Sequence, residues 1–223
     1  MRFNLPKDLS HGLNIRSYVR AIEEWWFDST RHVQTSGNAS PDALKVVGEI
    51  RDSQIYVPVR VANAHAALRD LPPQPHSEYT FFDVGSGKGR VLFVAAEYPF
   101  RKVRGVEFAG ELHEQAQANI IRYRHRKQRC SDIESIHADA AEFDFPNENL
   151  VLYLFNPFGP EVMGRMLAKL DLSIEKHPRH VILVLLWPEN SEMVAKMRWM
   201  REYRRTRRYH IYQTEMPFGL KGT

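Results

Sequence analysis

One stretch constrains this 223-residue chain more than any other: Phe81-Phe82-Asp83-Val84-Gly85-Ser86-Gly87-Lys88-Gly89-Arg90. A short apolar run, Tyr79–Val84, ends in three alternating glycines, and a helical pattern, Val91–Tyr98, follows at once. That is a strand handing over to a helix, the place where open α/β sheets bind ligands. Glycines there let the backbone turn tightly and approach a ligand closely. The N–H groups at the start of the following helix favour a negatively charged group.

Two common loops fail on spacing. A dinucleotide fingerprint counted from Gly85 needs a glycine where Arg90 stands. A P-loop ending at Gly87-Lys88 needs a leading glycine where Phe82 stands and Ser or Thr where Gly89 stands. What remains is D-x-G-x-G-x-G, with the acid Asp83 leading the turn.

The rest of the chain supports a doubly wound α/β fold. Beyond the loop, strands are expected at Val103–Phe108, Ile133–His137, Leu150–Phe155 and Val181–Trp187, with helices at Gly110–Gln128 and Glu161–Lys176. Alternation of this kind implies parallel pairing through right-handed crossovers, and nearly continuous apolar strands imply a sheet covered on both faces. Arg201–Glu215 reads as a hairpin closing one sheet edge. Before the linker Leu71-Pro72-Pro73-Gln74-Pro75 the texture is helical and irregular. Residues 1–75 are therefore expected to form an N-terminal helical extension or lid, and 76–223 the ligand-binding domain. Within the extension, Tyr18, Val19, Ile22, Trp25 and Trp26 make an apolar stripe expected to pack into core or lid. Ser40 and Pro41 can open a helix carrying Leu44, Val47 and Ile50, and Val59–Leu71 is a further helical candidate.

Asp83–Gly89 resembles the first motif of the seven-strand, class I S-adenosylmethionine-dependent methyltransferases. The resemblance implies a doubly wound, mostly parallel seven-stranded Rossmann-like sheet. It also implies a loop, here Asp83, Gly85, Ser86, Gly87, Gly89 and Arg90, that wraps the methionine part of S-adenosylmethionine, with Asp83 holding its amino group. Val103-Arg104-Gly105-Val106-Glu107-Phe108 then matches the family's second strand: Glu107 is the expected ribose-binding acid and Phe108 the residue packing on adenine. His137-Ala138-Asp139-Ala140 resembles the third motif, where Asp139 and the N–H of Ala140 contact the adenine edge. Asn156-Pro157-Phe158 resembles the [DN]-P-P-[YF] motif of amino-group methyltransferases, with one proline in place of two. Asn156 is then expected to accept the amine's N–H bonds beside the cofactor, and Phe158 to wall the slot and stabilise developing positive charge.

Together with Asp83–Glu107, the run Phe158-Gly159-Pro160-Glu161-Val162 is similar to histone lysine methyltransferases of the telomeric-silencing-disruptor type. Over its whole length the chain looks more like a group of small bacterial class I methyltransferases of undefined substrate, through Trp26-Phe27-Asp28, Tyr56-Val57-Pro58 and Gly85–Arg90. That group often continues Thr-Pro-Tyr after the proline. This chain has Val59-Arg60-Val61, which argues against Tyr56 as a cofactor lid. The expected activity is N-methylation of an amino group, a protein lysine being favoured. The alternatives are a methyltransferase acting on nucleic acid or a small molecule, and a nucleic-acid-binding module without catalysis.

Composition narrows the setting. Hydrophobic residues at 43% and charged residues at 26% suit a soluble globular domain. A single cysteine, Cys130, points to a reducing compartment, and no Cys/His spacing suggests zinc, so no metal is expected. No apolar run is long enough for a signal peptide or a membrane helix, so a cytoplasmic protein without membrane attachment is expected. The formal net charge of +4 is mild, but basic residues cluster at Arg101–Arg104, Arg122–Arg129 and Arg201–Arg208. The simpler reading is solvated helix ends and turns; the sharper is a docking surface for an acidic partner. No motif of a known nucleic-acid-recognition module accompanies them.

Overall fold

The computed structural model describes residues 15–37, 57–155 and 159–215. The expected helix after Ser40, the Tyr56 segment and the trio Asn156, Pro157 and Phe158 lie outside the described residues.

Seven strands form one sheet: β1 (Thr80–Val84), β2 (Lys102–Glu107), β3 (Ile133–His137), β4 (Leu150–Phe155), β5 (Val181–Leu186), β6 (Met200–Arg205) and β7 (Tyr209–Thr214). Their order across the sheet is β3-β2-β1-β4-β5-β7-β6. The first five are mutually parallel, while β7 runs antiparallel to β5 and β6 antiparallel to β7. The sheet is thus mixed: the tail hairpin enters with β7 against β5 and leaves β6 at the edge. β1, β4 and β5 are buried at nearly every position, as strands covered on both faces must be.

The helices are α1 (Ile15–Arg31), α2 (Val61–Arg69), α3 (Arg90–Ala95), α4 (Gly110–Arg122), α5 (Pro160–Lys176) and α6 (Ser191–Ala195). One core forms on the face covered by α2 and α3, where Ala64, Leu68, Leu92 and Phe93 meet Phe81, Val103 and Tyr153. A second forms on the opposite face, where Met163, Met166, Leu167 and Leu170 of α5 meet Leu152, Leu154 and Leu183. Phe27, Val33 and Val59 belong to the first core, so the segments before residue 76 share their packing with the sheet.

The apolar stripe of α1 corrects an expectation. Tyr18, Val19, Ile22, Trp25 and Trp26 are exposed rather than packed. The helix docks through a different face. Phe27 and Arg31 are buried, Asp28 bonds to Thr35 and Ser36, and the Arg31 guanidinium lies over the Phe27 ring at 4.1 Å. Arg31 also pairs with the buried carboxylate of Glu97. A buried arginine needs such a partner, and that need sets the helix's rotation. α4 ends sooner than its sequence pattern suggests, because Tyr123 leaves the helical conformation at ψ 123°. Its ring stacks on Phe93 at 4.7 Å, and its hydroxyl donates to the Phe93 carbonyl.

Candidate cofactor site

β1, β2 and β4 run parallel in matched register, so their carboxyl ends reach one edge together. At that edge the chain leaves β1 through Gly85, Gly87 and Gly89, at φ 78°, 53° and 86°. These are left-handed angles that side chains with a Cβ rarely adopt, so the turn requires glycine. The loop is hooked onto its neighbour: the N–H groups of Gly85 and Ser86 both donate to the Val106 carbonyl, at 2.8 and 3.1 Å. Gly105 makes this approach possible. A Cβ added there would lie 2.6 Å from Ser86 Oγ. A glycine inside a strand signals close backbone or side-chain approach, and that signal was open to sequence reading.

Glu107 ends β2, is 3% exposed and is fixed on both sides. One carboxylate oxygen accepts the Gly87 N–H at 2.7 Å and the other accepts the Ala109 N–H at 2.9 Å. Burial raises its pKa, and those N–H bonds oppose the rise. Asp83, also 3% exposed, sits one strand away. Its pKa is pushed well up, first by burial and then by Glu107. Among the described residues neither carboxylate pairs with a lysine or arginine. Tyr153, level with Asp83 on β4, is fully buried, and its hydroxyl finds no hydrogen-bond partner among the described residues.

The remaining expected residues divide. Phe108 is half-buried beside Glu107, and its carbonyl lies 3.0 Å from His137 Nε2. The exit of β3 is tied to that of β2 by the Ala138 N–H, which donates to the Glu107 carbonyl at 3.0 Å. This brings Asp139 and the buried Ala140 to the same edge, where Asp139 Oδ1 accepts the Ala141 N–H at 2.8 Å. Arg90 is different. Its buried guanidinium donates to Thr35 Oγ1, Ser36 Oγ and the Val59 carbonyl, at 2.8, 3.0 and 3.4 Å. Lys88 Nζ reaches the Ser36 carbonyl at 2.9 Å, and Asn119 bridges the Gln34 and Lys88 carbonyls. The segment after α1 is therefore bolted to the back of the glycine loop, a role that the sequence pattern does not show.

Residues 82–166 match the family model of a methyltransferase domain. Over that stretch the chain is similar to a methyltransferase domain. The cofactor that the sequence motifs imply is S-adenosylmethionine, and its product S-adenosylhomocysteine. No curated protein matches the chain. Among solved structures, one described as a predicted N6-adenine-specific DNA methylase from Listeria monocytogenes is 16% identical over 72% of this chain, with a TM-score of 0.52. This chain spans only 52% of that protein's length. An RNA methyltransferase from Salinibacter ruber, solved with S-adenosylhomocysteine, is 18% identical, covers 74% of this chain and 100% of its own, and has a TM-score of 0.46. At 16% identity the first of these likenesses shows the fold alone.

The edge fits this cofactor on its own geometry. Two buried carboxylates without a basic partner among the described residues suit a ligand bearing a cationic amine and a pair of ribose hydroxyls. Each oxygen of Glu107 keeps a lone pair beyond its backbone bond. Among the described residues no group of three or more His, Cys, Asp or Glu is placed to hold a metal. No described helix is long and apolar enough to cross a membrane.

Proposed function

We propose that this chain is an S-adenosylmethionine-dependent methyltransferase acting on an amino nitrogen. One observation carries the reading: Asp83 and Glu107, buried and without lysine or arginine partners among the described residues, flank a left-handed glycine turn at the shared edge of adjacent parallel strands. When bound, the cofactor supplies a methyl carbon already activated by a positively charged sulfur. The protein's work is binding, aiming and excluding water. Asp83 faces the amino group, Glu107 accepts the ribose hydroxyl protons, Phe108 packs on adenine, and Asp139 with the Ala140 N–H reads its edge. Ser86 and the three glycines shape the turn. Arg90 acts as a positioning residue, holding the extension against the loop.

The nitrogen acceptor follows from Asn156-Pro157-Phe158 directly after β4. By that motif's resemblance to amino-group methyltransferases, Asn156 would accept the amine's N–H bonds and Phe158 would wall the slot. A protein lysine is the acceptor favoured by the run Phe158–Val162. A nucleobase amine answers to the same trio and arrives uncharged, whereas a lysine must first shed a proton to expose its lone pair.

Calorimetric titration with S-adenosylhomocysteine tests the cofactor. Methyl-labelled cofactor incubated with a host lysate, then fractionated into protein, nucleic acid and small molecules, tests the acceptor. Binding of the homocysteine product with label on nitrogen is the expected result. Absence of binding removes the reading, and label only on oxygen or carbon removes its nitrogen half.

A further inference from the structure

β5 and the tail hairpin meet at the same carboxyl edge as the cofactor crevice, and what they present there is basic and aromatic. Leu186 is level with Phe155 of β4, so Trp187 leaves the sheet one step past the strand that carries Asn156 in sequence. Leu186 is also level with Tyr209, the first residue of antiparallel β7. The hairpin tip, residues 206–208, therefore stands beside Trp187, and the Trp187 N–H donates to the Arg208 carbonyl at 3.0 Å.

Three features of this corner point to a ligand. Trp187 is 49% exposed at the end of a fully buried strand. Its backbone is left-handed, φ 52°, a conformation that bulky residues rarely hold and one that clusters at functional sites. The tip is also rigid. Thr206 Oγ1 donates to the Tyr209 carbonyl at 2.8 Å and accepts the Arg208 and Tyr209 N–H groups at 3.2 and 3.0 Å. On the same hairpin Arg204 pairs with Asp70 and Arg205 with Glu202. Arg207 and Arg208 are exposed and make no ion pair among the described residues.

We infer that Trp187, Arg207 and Arg208 form the docking site for a single-stranded nucleic acid acceptor, with a base stacked on the indole and phosphates held by the two arginines. An aromatic platform beside a basic track is how proteins hold single strands, since every base offers a π face and every nucleotide a charge. A duplex keeps its bases stacked away from such a platform. Among the described residues Arg207 and Arg208 have no acidic partner, so this corner repels a cationic side chain and favours the nucleobase amine over the protein lysine that the run Phe158–Val162 suggests. This deepens, and rests on, the methyltransferase reading above.

The test is fluorescence anisotropy of a short labelled single-stranded RNA, and of DNA of the same sequence, across a salt series. Wild-type protein is expected to bind with steep salt dependence. R207E/R208E should weaken binding at least tenfold, and the milder R207Q/R208Q should flatten the log–log salt slope by roughly 1.4, about 0.7 for each lost phosphate contact. W187A should weaken it roughly five- to a hundred-fold, and W187F should restore most of the loss. S-adenosylhomocysteine titrated in parallel should bind every variant as it binds wild type, which also reports folding. Unchanged oligonucleotide affinity in R207Q/R208Q and W187A overturns the site. So does a polyglutamate peptide that competes as well as the oligonucleotide. Failure of S-adenosylhomocysteine to bind wild type removes the methyltransferase reading instead and leaves the oligonucleotide result standing by itself.

Discussion

Two stretches of the same sheet edge carry opposite chemistry. At the ends of β1 and β2, Asp83 and Glu107 are buried carboxylates without basic partners among the described residues. At the ends of β5 and β7, Arg207 and Arg208 are exposed guanidiniums without acidic ones there. The contrast is one of burial as much as of sign. A charge held out of water is expensive until a ligand offsets it, so the acidic half is built for one fitted, cationic guest. A charge left in water costs little and acts at a distance, so the basic half suits a larger, sequence-tolerant polyanion. On the reading proposed above, the edge separates cofactor from acceptor by electrostatics before any contact is made.

Removing the acidic half should have the largest effect. Glu107→Ala deletes both proposed ribose contacts and the brace between Gly87 and Ala109. Hydrogen bonds to a charged group contribute about 1.5–3 kcal/mol each, so affinity for S-adenosylhomocysteine should fall by about a hundredfold or more. Oligonucleotide binding should be retained, because the basic half is untouched. If both affinities fall together in a variant that remains folded, the two halves are one site and the contrast fails.

The next effect is steric. Gly105→Ala places a Cβ 2.6 Å from Ser86 Oγ and 2.7 Å from Ser86 Cβ. Ser86 is held by its backbone bond to Val106, so the glycine loop must shift as a unit. Overpacking of this kind costs about 1–3 kcal/mol, to be read from denaturant unfolding, and cofactor affinity should drop with it. Wild-type stability in this variant would mean that the loop has slack.

The contrast between the halves also marks what sequence reasoning can reach. The five parallel strands were legible because a doubly covered strand must be apolar throughout, as Leu150–Phe155 and Val181–Leu186 are. The glycine turn was legible because three positive φ angles leave few residue choices. The hairpin could be read from its polar and aromatic alternation, yet its entry as β7 beside β5 could not, since pairing order is a long-range property. Arg90 looked like part of the cofactor loop; its role depends on Thr35, Ser36 and Val59 converging from elsewhere in the chain. The exposed Trp25 and Trp26 show the same limit. Helical spacing identified a stripe, but the docked face was chosen by Phe27, Asp28 and Arg31, whose partners are distant in sequence.

Titration sharpens the comparison further. The folded protein holds protons on Asp83 and Glu107 above the ordinary values of 3.8 and 4.5, because burial raises both. From those values up to the raised ones, the folded state binds more protons than the unfolded chain. Stability without cofactor should therefore fall as pH rises through that window. A ligand whose cationic group faces the carboxylates favours their ionised forms. S-adenosylhomocysteine should then bind with release of protons and more tightly as pH rises, measurable by calorimetry in buffers of different ionisation enthalpy. Asp83→Asn should remove the larger part of both slopes. Proton uptake on binding would mean that the cofactor's amine is held elsewhere.

The smallest expected effect tests whether the acidic half ends at two carboxylates. Tyr153 is level with Asp83 on the neighbouring strand, and its buried hydroxyl has no hydrogen-bond partner among the described residues. Burial, and then the nearby Asp83, pushes its ionisation well above the ordinary tyrosine range, so it remains a neutral donor. Deleting a hydroxyl that bonds to no described residue removes a desolvation penalty and almost no attraction, so Tyr153→Phe should change stability by less than about 1 kcal/mol, in the stabilising direction. If the hydroxyl is a bystander, S-adenosylhomocysteine affinity also stays within about twofold of wild type. A tenfold loss of affinity with unchanged stability would give the hydroxyl a task. It would then donate to Asp83 or to the ligand once the crevice fills, and the acidic half would be a three-residue device that fixes the protonation of Asp83 as well as its position.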